Sequence, residues 1–258
     1  MTDLPQGLAI VTDAEAALGR SMVLELVRKG IRVAGFGQGQ LLAETARLAG
    51  GGFQPCKVDV SQADEVSAVM EQLAREQAPV SILINNAAVH SRLDFLDETP
   101  RSFMHSVAIN LGGMVNCSHA ALRLMVQTGH GRILNVSSFA DLAPLPASSA
   151  YVVSCGAARI FTRALRADIE DRFPDIVIND WIPGLPATGL DSVEGMASVR
   201  SAALWGVELA LWKEASLSGT IWERDMEVLP LRSLRRRIKD TMLLRTRKPR
   251  WLSGAQHT

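Results

Sequence analysis

The chain has 258 residues, 47% of them hydrophobic, which suits one domain of ordinary α/β size with a sizeable core. Its zero formal charge is unevenly spread: nine Lys or Arg and a single acid, Asp240, lie between Arg232 and Arg250, a local +8 that leaves −8 on the remainder. No apolar run approaches the roughly 20 residues that span a bilayer, and MTDLPQG lacks the basic and apolar regions of a signal peptide, so a cytoplasmic location with no membrane partner is expected. Cys56, Cys117 and Cys155 are too widely spaced for a metal site, and their odd number argues against a disulfide framework.

In chain order, Leu8 to Thr12 is a short β-branched apolar run that suits a buried strand. Leu18, Met22, Val23, Leu26 and Val27 keep helical spacing up to Gly30, and Ile31 to Phe36 is a second strand. A short helix from Leu41 to Ala49 is closed by three glycines, and Val58 to Val60 ends a third strand. Ser61, with Asp64 three residues on, resembles a capping box for a helix reaching about Gln77. Val80 to Ile84 is a fourth strand, about 100–127 a long helical region, and Arg132 to Val136 a fifth strand. A helix over about 151–172, a strand from Ile176 to Ile182, a helix from Ser198 to Trp212 and a strand from Thr220 to Trp222 complete the series. Strands alternating with helices predict a single Rossmann-like α/β domain over residues 1–228, a doubly wound seven-stranded parallel sheet with its ligand site at the carboxyl ends of the strands. A basic extension, 229–258, follows; Leu231, Leu234, Ile238 and Met242 give it a possible amphipathic helical spacing. The extension reads as a solvated segment, or as one that docks on a partner subunit or an anionic ligand; without a recognised module in an acidic body, nucleic acid is not the expected partner.

The turn after the first strand reads TDAEAALG, from Thr12 to Gly19. It is followed by Asn85-Asn86-Ala87-Ala88 after the fourth strand, Asn110 in the long helix, Ser137-Ser138 after the fifth, Tyr151 with Cys155 four residues later, and Pro183-Gly184 with Thr188 after the sixth. Together these resemble, in order, the TGxxxGxG, NNAG, helical Asn, NVSS, YxxxK and PG…T motifs of the short-chain dehydrogenase/reductase family, over about residues 8 to 223. The resemblance implies cofactor contacts at Thr12, Asp13, Ala17, Gly19, Asp59, Asn86, Ala87, Pro183, Gly184 and Thr188, and proton transfer by Asn110, Ser138 and Tyr151.

Three departures stand against hydride transfer. Asp13 and Ala17 replace two glycines that let backbone approach a pyrophosphate, and Asp13 and Glu15 bring negative charge to that place. The segment past the second strand, Gly35-Phe36-Gly37-Gln38-Gly39, holds neither an acid nor an arginine, so neither NAD nor NADP is specified. Cys155 occupies the family's lysine position, where a cation would favour the phenolate of Tyr151. As a nucleophile Cys155 would need a basic neighbour, and only Arg159 is near in sequence; the alternative is a small buried residue. The expected protein is therefore a non-catalytic subunit with no cofactor of its own, NAD(H) belonging to an active homologous partner such as a hydroxyacyl-CoA dehydrogenase subunit. The family's habit of pairing through its two long helices, here about 100–127 and 151–172, implies a hetero-oligomer, expected as a tetramer. The alternative is a self-sufficient NAD(P)-dependent oxidoreductase that uses Ser138 and Tyr151 in a rearranged site.

Overall fold

The computed structural model describes residues 7–185, 193–229 and 248–252. Thr188 and the proposed amphipathic spacing from Leu231 to Met242 lie outside the described residues. Eight strands form one sheet in the order β3-β2-β1-β4-β5-β6-β7-β8. They are β1 (Leu8–Thr12), β2 (Arg32–Gly37), β3 (Phe53–Lys57), β4 (Val80–Asn85), β5 (Gly131–Val136), β6 (Ile176–Ile182), β7 (Ile221–Glu223) and β8 (Met226–Val228). The first seven run parallel. The eighth, beyond the seven expected, returns antiparallel to β7 through Arg224 and Asp225, with Arg224 at φ 55°. Trp251 bridges to Met226, and Arg250 donates to the buried Glu227 at 2.9 Å, so Arg250 and Trp251 close against this edge.

The helices are α1 (Ala17–Arg28), α2 (Leu41–Ala49), α3 (Ala63–Glu76), α4 (Pro100–Val107), α5 (Gly113–Thr128), α6 (Ser149–Ile169) and α7 (Val193–Leu211). Strands buried on both faces read as continuous apolar runs, and β1, β4 and β6 are buried throughout. Ala9, Val11, Ile82, Ile84 and Leu134 pack with α1 and α7 on one side. Leu8, Ile10, Leu83, Ile133 and Ile178 pack with α3 and α5 on the other.

Several boundaries differ from expectation. The third strand ends at Lys57, before Val58 and Val60; it carries Pro55, which its place at the sheet edge tolerates. Ser61 does not cap α3: the cap position is Gln62 without a side-chain bond, while Ser61 Oγ donates to Asp59 at 2.8 Å. The long helical region is interrupted by a π-helical turn, Ala108–Gly112, between α4 and α5. Thr99 starts α4, accepting from the Ser102 amide at 3.1 Å with Pro100 at the first turn. The last long helix runs Val193–Leu211, beginning five residues before the expected Ser198.

Candidate active site

The carboxyl ends of β1, β4, β5 and β6 bring most of the expected residues together. Thr12 closes β1, and its hydroxyl accepts from the amides of Asn86 at 2.8 Å and Ala87 at 2.9 Å. Asn86 donates back to the carbonyls of Thr12 and Asp13 at 3.2 and 3.4 Å. The first turn and the β4 turn are thus tied by four bonds that require no ligand. Gly19 is demanded by packing: a Cβ there would sit 2.1 Å from the Asp13 carbonyl oxygen. Ala17, at the start of α1, is exposed.

Asp13 adopts φ 52°, the left-handed conformation for which its family glycine is suited. Burial, with the nearby Glu15 charge added, raises its carboxyl to about 7 despite a hydrogen bond from the Ala16 amide. Glu15 does not cap α1. Its Oε1 crosses to the loop after β2 and accepts from the amides of Gln38 and Gly39, each at 2.8 Å. A Cβ on Gly39 would lie 2.4 Å from Glu15 Oε2, and one on Gly37 3.0 Å from Oε1, so the two glycines make room for the carboxylate. An acid therefore does occupy the ribose-reading loop, but it comes from the first turn. Sequence reasoning missed this pairing; its signal was the coincidence of Glu15 with the flanking glycines of Gly37-Gln38-Gly39. Burial alone would raise the neighbouring Asp59, but bonds from Ser61, Gln38 and Gln62 outweigh it and hold the carboxyl below its ordinary range. Asp59 is thus engaged by its own loop and by Gln38 of the loop after β2.

A cavity of about 440 Å³ opens beside this turn, lined by Asn86, Asn110, Ser138, Tyr151, Cys155 and Pro183-Gly184 among others. Asn110 lies on the π-helical turn, a distortion frequent at functional sites. Its Oδ1 accepts from the Val89 amide at 2.7 Å, and its Nδ2 donates to the Val89 carbonyl and to Ser154 Oγ, both at 2.9 Å. Ser138 Oγ accepts from the Ala140 amide at 3.1 Å and meets the Tyr151 hydroxyl. His90, unremarked in the sequence, stacks on the Tyr151 ring with centroids 4.3 Å apart.

Asn110, Ser138 and Tyr151 line one cavity, but the surroundings of Tyr151 disfavour its phenolate. Burial, then the Cys155 sulfur, pushes Tyr151 up to about 12, against the lowering effect of Ser138. Burial likewise pushes the Cys155 thiol up to about 11, which argues against a thiolate nucleophile. Arg159, one turn further along α6, pairs with Asp141 and stacks over Phe139, its guanidinium 5.3 Å from the ring centroid. Its charge also lowers Cys155 and Asp180, but less than burial raises each of them. The residues present do not fit a nicotinamide dinucleotide: Glu15 holds the ribose-reading loop, the half-buried Asp13 carboxyl stands at the pyrophosphate turn, and Cys155 rather than a lysine neighbours the Tyr151 hydroxyl. Among the described residues no His, Cys, Asp and Glu cluster could hold a metal ion.

With this geometry established, comparison defines the class. The short chain dehydrogenase family model matches residues 7–196, so the chain belongs to that family. It is 36% identical over 168 residues to the probable oxidoreductase EphD of Mycobacterium tuberculosis, covering 63% of this chain and 28% of that protein's length. It is 31% identical over 196 residues to a short-chain type dehydrogenase/reductase of Picea abies, covering 71% and 72% of the two chains. A 3alpha-hydroxysteroid dehydrogenase of Mediterraneibacter gnavus is 28% identical over 198 residues, covering 72% and 76%.

Proposed function

We propose that this chain is a non-catalytic member of the short-chain dehydrogenase family, a subunit that supports a competent homologue in a hetero-oligomer. The observation that carries the proposal is the Tyr151 hydroxyl facing the Cys155 thiol where the chemistry needs a cation. A phenol at about 12 is ionised about a hundredfold less at neutral pH than an ordinary one near 10. The internal bonds of Glu15 and the half-buried Asp13 add to it, because both oppose a dinucleotide phosphate.

The surface for the partner is the outer face of α5 and α6. Val115, Leu122, Val126, Phe161 and Leu165 line an apolar groove there, and Ile160 on α6 is 59% exposed. Apolar patches of this kind mark interaction sites. The test is calorimetric titration of the purified chain with NAD(H) and NADP(H), together with co-purification from its source. Absence of micromolar binding and recovery of one intact homologue at equal stoichiometry are expected. Micromolar binding of either cofactor to the chain alone refutes the reading.

A second reading, an oxidoreductase with a rearranged site, is favoured by one observation: Asn110, Ser138 and Tyr151 all line the same cavity. It requires Tyr151→Phe to abolish the activity of the assembled complex. An unchanged rate counts against it.

A further inference from the structure

Helices α1 and α7 pack on the same side of the sheet, and a groove of about 970 Å³ lies between them. One stripe of α1 lines it, Ala17, Arg20, Ser21, Leu24 and Arg28, at the three- and four-residue spacing that keeps side chains on one face. The facing stripe of α7 is Met196, Arg200, Ala203 and Leu204. Met196 and Leu204 are 59% and 42% exposed, so the groove offers apolar anchor points to solvent two turns apart.

The groove is positive. Three arginines and one carboxylate, Glu25, line it, a local +2 on a body that carries −8. Internal pairing does not cancel this charge. Glu25 is shared by two cations: Arg28 donates to both of its oxygens at 2.7 and 2.8 Å, and Lys29 lies 3.5 Å away. Arg20 pairs with Glu44 at 3.6 Å. Counting Lys29 and Glu44 with the lining gives four cations against two carboxylates, the same +2. The α7 acids Glu194 and Glu208 do not line the groove, and Arg200 is exposed with no carboxylate partner among the described residues.

The walls decide the form of the occupant. Both are helices whose backbone groups are bonded internally, so no strand edge is offered to an extended peptide. A chain that docks here must satisfy its own backbone, as a helix does. The α1 stripe covers three turns, roughly 16 Å, which sets the occupant's length. A flat membrane surface does not enter a concave groove, and the chain's own 229–258 segment has the wrong charge, with nine Lys or Arg against Asp240.

We infer that the α1–α7 groove docks an acidic amphipathic helix of a protein partner, about three turns long, its apolar stripe against Leu24, Met196 and Leu204 and its carboxylates toward Arg200 and Arg28. The inference draws on neither the cleft nor the α5–α6 face, so it stands or falls separately from the proposed function.

The probe is a synthetic helical peptide of about 14 residues with leucines at i, i+3, i+7 and i+10 flanked by glutamates, beside a counterpart with lysines for the glutamates. Fluorescence anisotropy with the full chain is expected to show saturable binding of the acidic peptide, weakening as salt rises, and none of the basic one. Arg200→Glu weakens binding about tenfold, the effect of reversing one rim charge. Ala197→Trp, an exposed position on the groove, blocks binding with the unfolding midpoint unchanged, whereas Arg123→Glu on α5 leaves binding as it was. Binding of neither peptide, equal binding of both, or binding that survives Ala197→Trp overturns the inference. So does salt-sensitive binding to phosphatidylserine vesicles that Arg200→Glu abolishes, or a photo-crosslinker at position 204 that captures the chain's own 229–258 segment.

Discussion

The substitution Cys155→Lys tests the electrostatic argument directly. Tyr151 is the only tyrosine in the chain, so tyrosinate absorbance on alkaline titration reports this one phenol. In the wild-type protein the midpoint is expected at about 12, with burial as the main cause and the Cys155 sulfur as the second. A lysine at 155 extends into the cavity that Cys155 already lines. Its ammonium about 5 Å from the phenol oxygen, at an effective dielectric near 20, stabilises the phenolate by about 3 kcal/mol. That equals about two pKa units, which brings the midpoint down to about 10. Circular dichroism at each pH separates titration of the fold from its unfolding. A wild-type midpoint near 10, or a variant that stays folded with its midpoint unmoved, refutes the assignment of the missing cation as the defect. The same variant binds no NAD(H), because Asp13 and Glu15 remain. Binding emerges only when Asp13→Gly, Glu15→Ser and Ala17→Gly are combined with it, and micromolar binding by Cys155→Lys alone contradicts the part assigned to the first turn.

Other perturbations bear on the fold and its charges. Gly19→Ala places a methyl 2.1 Å from the Asp13 carbonyl, a backbone atom that cannot swing away, and lowers unfolding stability by about 3 kcal/mol or more in urea denaturation. Glu15→Ser removes both bonds to the Gln38 and Gly39 amides and costs about 1–2 kcal/mol in the same assay; no change would show those bonds to be idle. Asp13 and Asp180 are both raised to about 7, chiefly by burial. The fold therefore favours their protonated forms, and that stability is complete below the ordinary carboxyl range and lost as pH rises through about 7. The melting temperature should fall between pH 5 and 7, and Asp180→Asn should flatten that slope while its amide oxygen keeps the hydrogen bond from Thr162.

What the sequence made legible was set by local order. Thr12, Asn86 and Ala87 follow apolar strands at their carboxyl ends, and parallel pairing of β1 with β4 brings such ends together without further information. Asn110, Ser138, Tyr151 and Cys155 were legible in the same way, since each stands just past a strand or on one face of a helix. Glu15 was not, because its partner amides lie 23 and 24 residues away in another turn, and only the register of β1 on β2 makes them neighbours. The third strand was misplaced because Pro55 interrupts it and its edge position, which excuses a proline, is a property of the sheet. The eighth strand is three residues long and follows a tight turn at Arg224, too short for any periodicity to register.

The departures from the family pattern that alter charge share one sign. The turn gains carboxylates at Asp13 and Glu15, and α6 lacks an ammonium at Cys155. Each change makes the cleft less hospitable to a dinucleotide's phosphates or to a phenolate, while none disturbs a packing contact the fold requires. Gly19, whose absence would break the β1–α1 turn, is kept, and so is the Thr12 hydroxyl that joins two strands. Asn110 illustrates the same division. All of its amide's polar atoms are satisfied by Val89 and Ser154, so it joins the π-helical turn to the β4 loop and α6 without needing a ligand. Ser138 and Tyr151 keep their family positions while Asp13, Glu15 and Cys155 change the charge around them, which is the combination the proposed non-catalytic role predicts and the Cys155→Lys titration tests.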